Sequence, residues 1–337
     1  MCSSDLPVWN SELYLELHRG CFTTYASQKW ANRQGEILLY QAELYASIAS
    51  IVAGADYPAE ELETAWKKVL LNQFHDILPG SAIPEVFVDA NRGWEAAIAA
   101  AESVREEAIA QLSARLESVE PPVEEAIPLL VFNPTLGRRS QLISIGFESD
   151  IYDLIDDLGG VEVVCVYDDR GNPVASETVE DFMLHFLATD LPSLGVKRYW
   201  IVPEEPTPQP DRAPENFTLE NQYLRVEIDP ATGNIARCFD KLTQREVLAE
   251  TGGNRLEAYS DSGQYWDAWN IDPDYEQHPL APPVLVSIVW EECGTLRQRL
   301  RVVRRLNQSS FVQSYILDRG SPDRKSTRLN SSHQIIS

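Results

Sequence analysis

Leu70-Leu71-Asn72-Gln73-Phe74-His75-Asp76-Ile77-Leu78-Pro79-Gly80-Ser81 is the stretch in which a helical pattern stops. Leu62, Trp66, Val69, Leu70, Phe74 and Ile77 recur at helical spacing after a start signal at Asp56-Tyr57-Pro58, which predicts a helix running to the Pro79-Gly80 stop. His75 and Asp76 then fall in its last turn, among carbonyls without helical partners. That end carries partial negative charge, and an imidazole beside a carboxylate is chemically suited to a metal ion. Residue type alone does not make a site. A histidine at a helix end also serves as a cap, zinc takes three or four ligands, and no second histidine stands at ligand spacing from His75.

Working outward, Ile37, Leu38, Leu44, Tyr45, Ile48 and Ile51 mark an amphipathic helix from about Ser27 to Gly54. Ser81 is the expected cap of another, whose stripe runs through Trp94, Ile98, Ala101, Val104, Ala108 and Leu112 to Leu116. Three consecutive antiparallel helices over residues 27–118 make a bundle. Ahead of them, Glu12–His18 alternates apolar and polar residues and meets Arg19-Gly20, the pattern of a strand with His18 at its end. A polar His-Arg pair at a strand end suits either a sugar pocket or a surface turn. Glu120-Pro121-Pro122-Val123-Glu124-Glu125 ends the helical pattern. Beyond it, 161–167 reads as a strand with its turn at 168–173, and Lys197–Val202 as another. A Pro-rich linker spans 203–214, and Leu219–Asp229, a turn at Pro230–Gly233 and Asn234–Asp240 open a further unit. The fold class expected is multidomain α+β, with β-sandwich units at 126–206 and 215–322.

Composition narrows the partners. Against 28 basic residues stand 52 acidic ones, a net charge of -24 in 337 residues, so the long-range field repels nucleic acid and anionic membranes. No unbroken apolar run reaches the roughly 18 residues of a membrane helix. Cys21, Cys165, Cys238 and Cys293 are far apart with no CxxC pair, so reduced, buried thiols are expected.

The string Leu70–Ser81 resembles a signature of glycoside hydrolase family 38, the α-mannosidases. The resemblance implies that His75 binds the catalytic Zn2+ and that Asp76 accepts hydrogen bonds from mannose hydroxyls. Pro7–Thr24 is similar to the strand and loop closing the family's catalytic α/β barrel in its bacterial and cytosolic-type branch, which makes 7–26 the end of that barrel; His18 and Arg19 stay candidate substrate contacts on their residue types alone. It departs at Ser11, Cys21 and Tyr25, where Gly, Thr and Gln or His are expected, and no contact is carried over for those side chains. Tyr265-Trp266-Asp267-Ala268-Trp269-Asn270-Ile271-Asp272 also resembles a stretch of that branch. Tryptophan faces pack on sugar rings and carboxylates accept hydroxyls, so Asp267 and Trp269 join the candidates, although β-sandwiches also bury such aromatics in their cores.

The activity implied is a zinc-dependent retaining hydrolase, using two carboxylates, that releases mannose from α-mannosides or mannose-containing oligosaccharides. The nucleophile, the acid/base and the other zinc ligands are expected upstream of the position matched by Pro7, so the chain alone is expected to be inactive. Both ends read as foreign: Cys2–Leu6 and Asp323–His333 match the translation of a common sequencing adapter, which assigns 1–6 and 323–337 to scars and leaves the large sandwich truncated. A cytoplasmic location and a homo-oligomer are compatible with this reading. The competing class is a non-catalytic carbohydrate-binding or scaffolding protein in which His75 only caps a helix.

Overall fold

The computed structural model describes residues 8, 10, 18–116, 119–121, 126–146, 163–179, 183–204, 214–263, 266, 268–321 and 328–332. The expected strand at 12–17 lies outside them. Helices and antiparallel sheets are both present, and the chain divides into two compact units, residues 1–118 with 259–279, and 119–258 with 280–337.

The first unit is built on α1 (Ala26–Ala53), α2 (Ala59–Asn72) and α3 (Pro84–Ser113). Trp66 Nε1 donates to Glu43 and Gln73 Nε2 to Asn32, so α2 runs antiparallel to α1. Arg115 at the far end of α3 donates to Ala53 O, while Gln28 near the start of α1 bonds Asn91 and Trp94, so α3 runs back parallel to α1. The buried face of α3 is Phe87, Ala90, Trp94, Ala97, Ala101, Val104, Ala108 and Leu112, a three-four alternation dominated by small residues. The buried face of α1 is small as well: Ala31, Gly35, Ala42, Ala46 and Ala49 flank Leu38, Leu39 and Tyr45. Of the apolar residues picked from the sequence, Ile37 and Ile51 of the first stripe and Leu70 and Phe74 of the second are exposed instead; in the α1–α3 seam, close approach of two backbones selects alanine and glycine. A Cβ on Gly35 would come within 3.2 Å of Val69 and 3.7 Å of the Trp94 ring. Helix α1 is also long and apolar enough to cross a membrane by length and composition. An unbroken-run criterion misses this because Gln41 and Glu43 interrupt the stretch; one face of the helix is packed in the bundle core.

Two expected helix ends are corrected. Helix α2 stops at Asn72, and 73–80 follow as turns, so His75 and Asp76 lie beyond the helix rather than in its last turn. Ser81 does not cap α3, whose N-cap is Ile83 with Pro84 as the first helical residue.

In the second unit, β1 (Ile127–Phe132), β2 (Arg139–Gly146), β3 (Val163–Asp168), β4 (Pro173–Val174), β5 (Ser176–Val179), β6 (Met183–Leu191) and β7 (Val196–Glu204) form two antiparallel sheets ordered β1-β7-β3-β4 and β2-β6-β5. Val131, Val164, Val166, Leu184, Phe186, Tyr199 and Ile201 fill the space between them. A second pair of sheets comprises β8 (Thr218–Glu220), β9 (Leu224–Ile228), β10 (Ile235–Asp240) and β11 (Arg245–Glu246), ordered β11-β10-β9-β8, and β12 (Val284–Cys293), β13 (Arg297–Leu306), β14 (Ser309–Asp318) and β15 (Arg328–Ser332), in sequence order. Leu219, Val226, Ile228, Leu300, Val302, Tyr315 and Leu317 make its core. The stretch expected as one strand over 219–229 is two, since Asn221 Oδ1 accepts from the Tyr223 and Leu224 amides and turns the chain. The four described thiols are free as expected, but Cys21, Cys165 and Cys238 are only half-buried and Cys293 is exposed.

Candidate functional site

The His75 loop is held from both sides by polar side chains in the bundle. Just before it, the buried Asn72 donates to Ala90 O of α3 at 2.8 Å, and Gln73 Nε2 donates to Asn32 at 2.9 Å and Glu36 at 3.1 Å on α1. After it, Lys29 Nζ donates to Leu78 O at 2.9 Å, to Pro79 O at 2.8 Å and to Thr24 O. Desolvation holds the Lys29 ammonium below its ordinary pKa, against an opposing influence of the Cys21 thiol. Between these anchors the chain turns on itself. Ile77 and Leu78 amides donate to Phe74 O, and the Ser81 and Ala82 amides donate to Asp76 O. Gly80 closes the loop at φ 87°, so near the preceding turn that a Cβ would lie 2.7 Å from Thr24 O and 2.8 Å from Tyr25 Cβ.

The two candidate side chains project from this frame. His75 is 76% exposed and its Nε2 lies 3.4 Å from Asp76 Oδ2, while the Phe74 ring stands 4.2 Å from the imidazole. Asp76 Oδ1 lies 3.2 Å from the Ser81 hydroxyl, which donates to it. Outward-facing acceptors beside an accessible imidazole suit a cation or a polyhydroxyl ligand.

His18 and Trp269, 251 positions apart, are brought together, with ring centroids 4.9 Å apart. The reason lies in the backbone. His18 adopts φ 69° and its amide donates to Asn270 Oδ1, the Gly20 amide donates to Trp269 O at 2.8 Å, and Thr24 Oγ1 donates to Ala268 O. Gly20 permits this, since a Cβ there would meet the Trp269 carbonyl at 3.1 Å. Arg19 begins a short 3-10 turn and is exposed. The Arg19–Tyr25 turn thus links the two groups of candidates, carrying the Trp269 loop on one side and touching Gly80 on the other. Asp267 lies outside the described residues. Sequence reasoning gave no role to Lys29, Asn72, Gln73 or Asn270; the last three stand in quoted motifs, but nothing local shows what their side chains hold.

Zinc needs three or four donors, and no group of three His, Cys, Asp or Glu able to hold a metal occurs among the described residues. The described residues do not by themselves fit a zinc ion.

Residues 16–112 match the α-mannosidase middle domain, and 219–327 match the glycosyl hydrolases family 38 C-terminal domain. The chain is 29% identical over 326 residues to human "Alpha-mannosidase 2C1", covering 95% of this chain and 28% of that protein. It is 44% identical over 85 residues to the Saccharomyces cerevisiae "Alpha-mannosidase", covering 25% of this chain and 8% of that one. The crystal structure of an α-mannosidase from Enterococcus faecalis V583 superimposes with a TM-score of 0.70 at 18% identity, over 90% of this chain and 40% of that one. With both the middle and the C-terminal domain matched, the chain belongs to glycosyl hydrolase family 38, the α-mannosidase family.

Proposed function

We propose that this chain is part of a zinc-dependent retaining α-mannosidase acting on α-mannosides or mannose-containing oligosaccharides. His75 is the one zinc donor it contributes, and Asp76 accepts hydroxyls of the bound sugar. His18, Arg19, Asp267 and Trp269 are the further substrate contacts of this reading. The observation that carries this reading is the exposed His75-Asp76 pair on a loop anchored at both ends, within the segment that matches the α-mannosidase middle domain. An exposed imidazole with an adjoining carboxylate on a rigid backbone suits a ligand shared with a partner surface better than a helix cap does, and here the pair lies beyond the helix.

The 337 residues alone are expected to show no turnover of an aryl α-mannoside, because one imidazole cannot substitute for a complete metal site. The decisive experiment uses the full-length protein containing this chain, assayed on the aryl α-mannoside with and without chelator. His75→Ala should lower both zinc content and kcat/KM, the latter by about 100-fold or more. Full zinc content and activity in that variant would sink the assignment.

A further inference from the structure

Lys29 lies on the first turn of α1, where a lysine reads as a solvated surface residue. Its ammonium has three donors, and each meets a backbone carbonyl: Thr24 O in the turn before α1, and Leu78 O and Pro79 O at the close of the His75 loop. Those three acceptors come from segments some 50 positions apart. Carbonyls following a helix lack intrahelical partners, and a cation is the strongest donor they can be given.

The placement is specific to the loop's far side. Asn72 and Gln73 already fasten its near side to α3 and α1. Between these fastenings and Lys29 stand Phe74, His75, Asp76 and Ile77, of which His75 and Asp76 carry the proposed chemistry and reach solvent. The close contact of Gly80 with Thr24 is a second, independent sign that the loop and the turn are pressed together where Lys29 bridges them. We propose that Lys29 is a positioning residue, clamping the loop to the Thr24 turn and so fixing the direction in which His75 and Asp76 project. Its bearing on zinc and sugar rests on the function proposed above; the clamp itself does not.

The test has two arms. In the first, hydrogen exchange is measured on the 337-residue chain without zinc or sugar. Lys29→Met should speed exchange of the Gly80, Ser81 and Ala82 amides by about tenfold or more while the cores of α1 and α3 keep their protection, and Lys29→Arg should restore the slow rates. Unchanged loop exchange in Lys29→Met, or no rescue by arginine, overturns the clamp; if the methionine variant loses its helical circular dichroism, Lys29→Gln takes its place in the comparison. In the second arm, zinc retained by the full-length protein on dialysis should weaken about tenfold in Lys29→Met and recover in Lys29→Arg. Unaltered retention overturns the positioning role. A His75→Ala protein that keeps its zinc and activity defeats the proposed function instead, leaving the exchange result to stand or fall alone.

Discussion

Gly80 shows how one residue can be required twice over. Its φ of 87° is in the left-handed region, and a side chain there would also collide with Thr24 O and the Tyr25 Cβ. Gly80→Ala is therefore expected to destabilise the helical unit by about 1–3 kcal/mol, seen as a lower urea midpoint with an unchanged slope. A variant as stable as the parent would show that the loop can retreat from the turn at no cost. The motif's glycine was visible in the sequence as a helix stop, but its contact with a residue 56 positions upstream was not, since nothing local encodes it. His75 behaves likewise: the Pro79-Gly80 stop beside it was visible locally, whereas its place beyond the helix and the anchors that hold its loop depend on Lys29, Asn32, Glu36 and Ala90.

At the scale of elements, the three helices and a minority of the strands, β3, β7, β10 and the β8–β9 stretch, were legible because periodicity and turn residues are local signals. The strand expected at 161–167 is observed as β3, and its Asp168–Pro173 turn is closed by Asp168 Oδ1 accepting from the Arg170 and Asn172 amides. Burial raises the Asp168 pKa, but the hydrogen bonds from Asn172 and Arg170 outweigh it and hold the carboxyl below its ordinary value. Helix ends were less legible. Helix α2 gives way after Asn72 because that side chain is committed to α3, and the Phe74 amide bonds Leu71 O, so a tighter turn replaces the α-helical step. The α1–α3 seam sets its spacing by alanines. Ala101, fully buried, should not accept a larger side chain, and Ala101→Leu is expected to cost about 1–3 kcal/mol in thermal or chemical unfolding. A neutral result would mean that the seam is looser than its burial indicates.

At the scale of the whole molecule, the second unit contains a buried polar junction between its sandwiches. Glu177 on β5 accepts from the Thr295, Leu296 and Arg297 amides and the Thr295 hydroxyl, and Gly294 leaves room for that carboxylate, which a Cβ would overlap. Beside it, His185 Nε2 on β6 lies 2.9 Å from Glu292 Oε2 on β12, with the imidazole 1% exposed. Burial is the largest influence on Glu292 and raises its pKa, yet the hydrogen bond and charge of His185, with Arg297 and Arg299, prevail and lower it from 4.5. A carboxyl lowered on folding stabilises the fold above its ordinary pKa, and that contribution disappears as pH falls through the folded value. Stability should thus drop below about pH 4.5, and Glu292→Gln should flatten that acid limb in denaturation midpoints taken between about pH 7 and pH 3. An equally steep limb in the variant would place the acid sensitivity elsewhere. The sequence by itself determined the α+β class, the helix bundle followed by sandwiches, and the family mark around His75, because each is written in spacings of a few residues. Only the tertiary structure decided that Lys29 clamps the His75 loop, that the Trp269 ring lies tilted beside His18 and that Glu292 meets His185. Those pairings join residues roughly 50 to 250 positions apart, and chain closure over such distances is set by how whole elements pack, which no local pattern specifies.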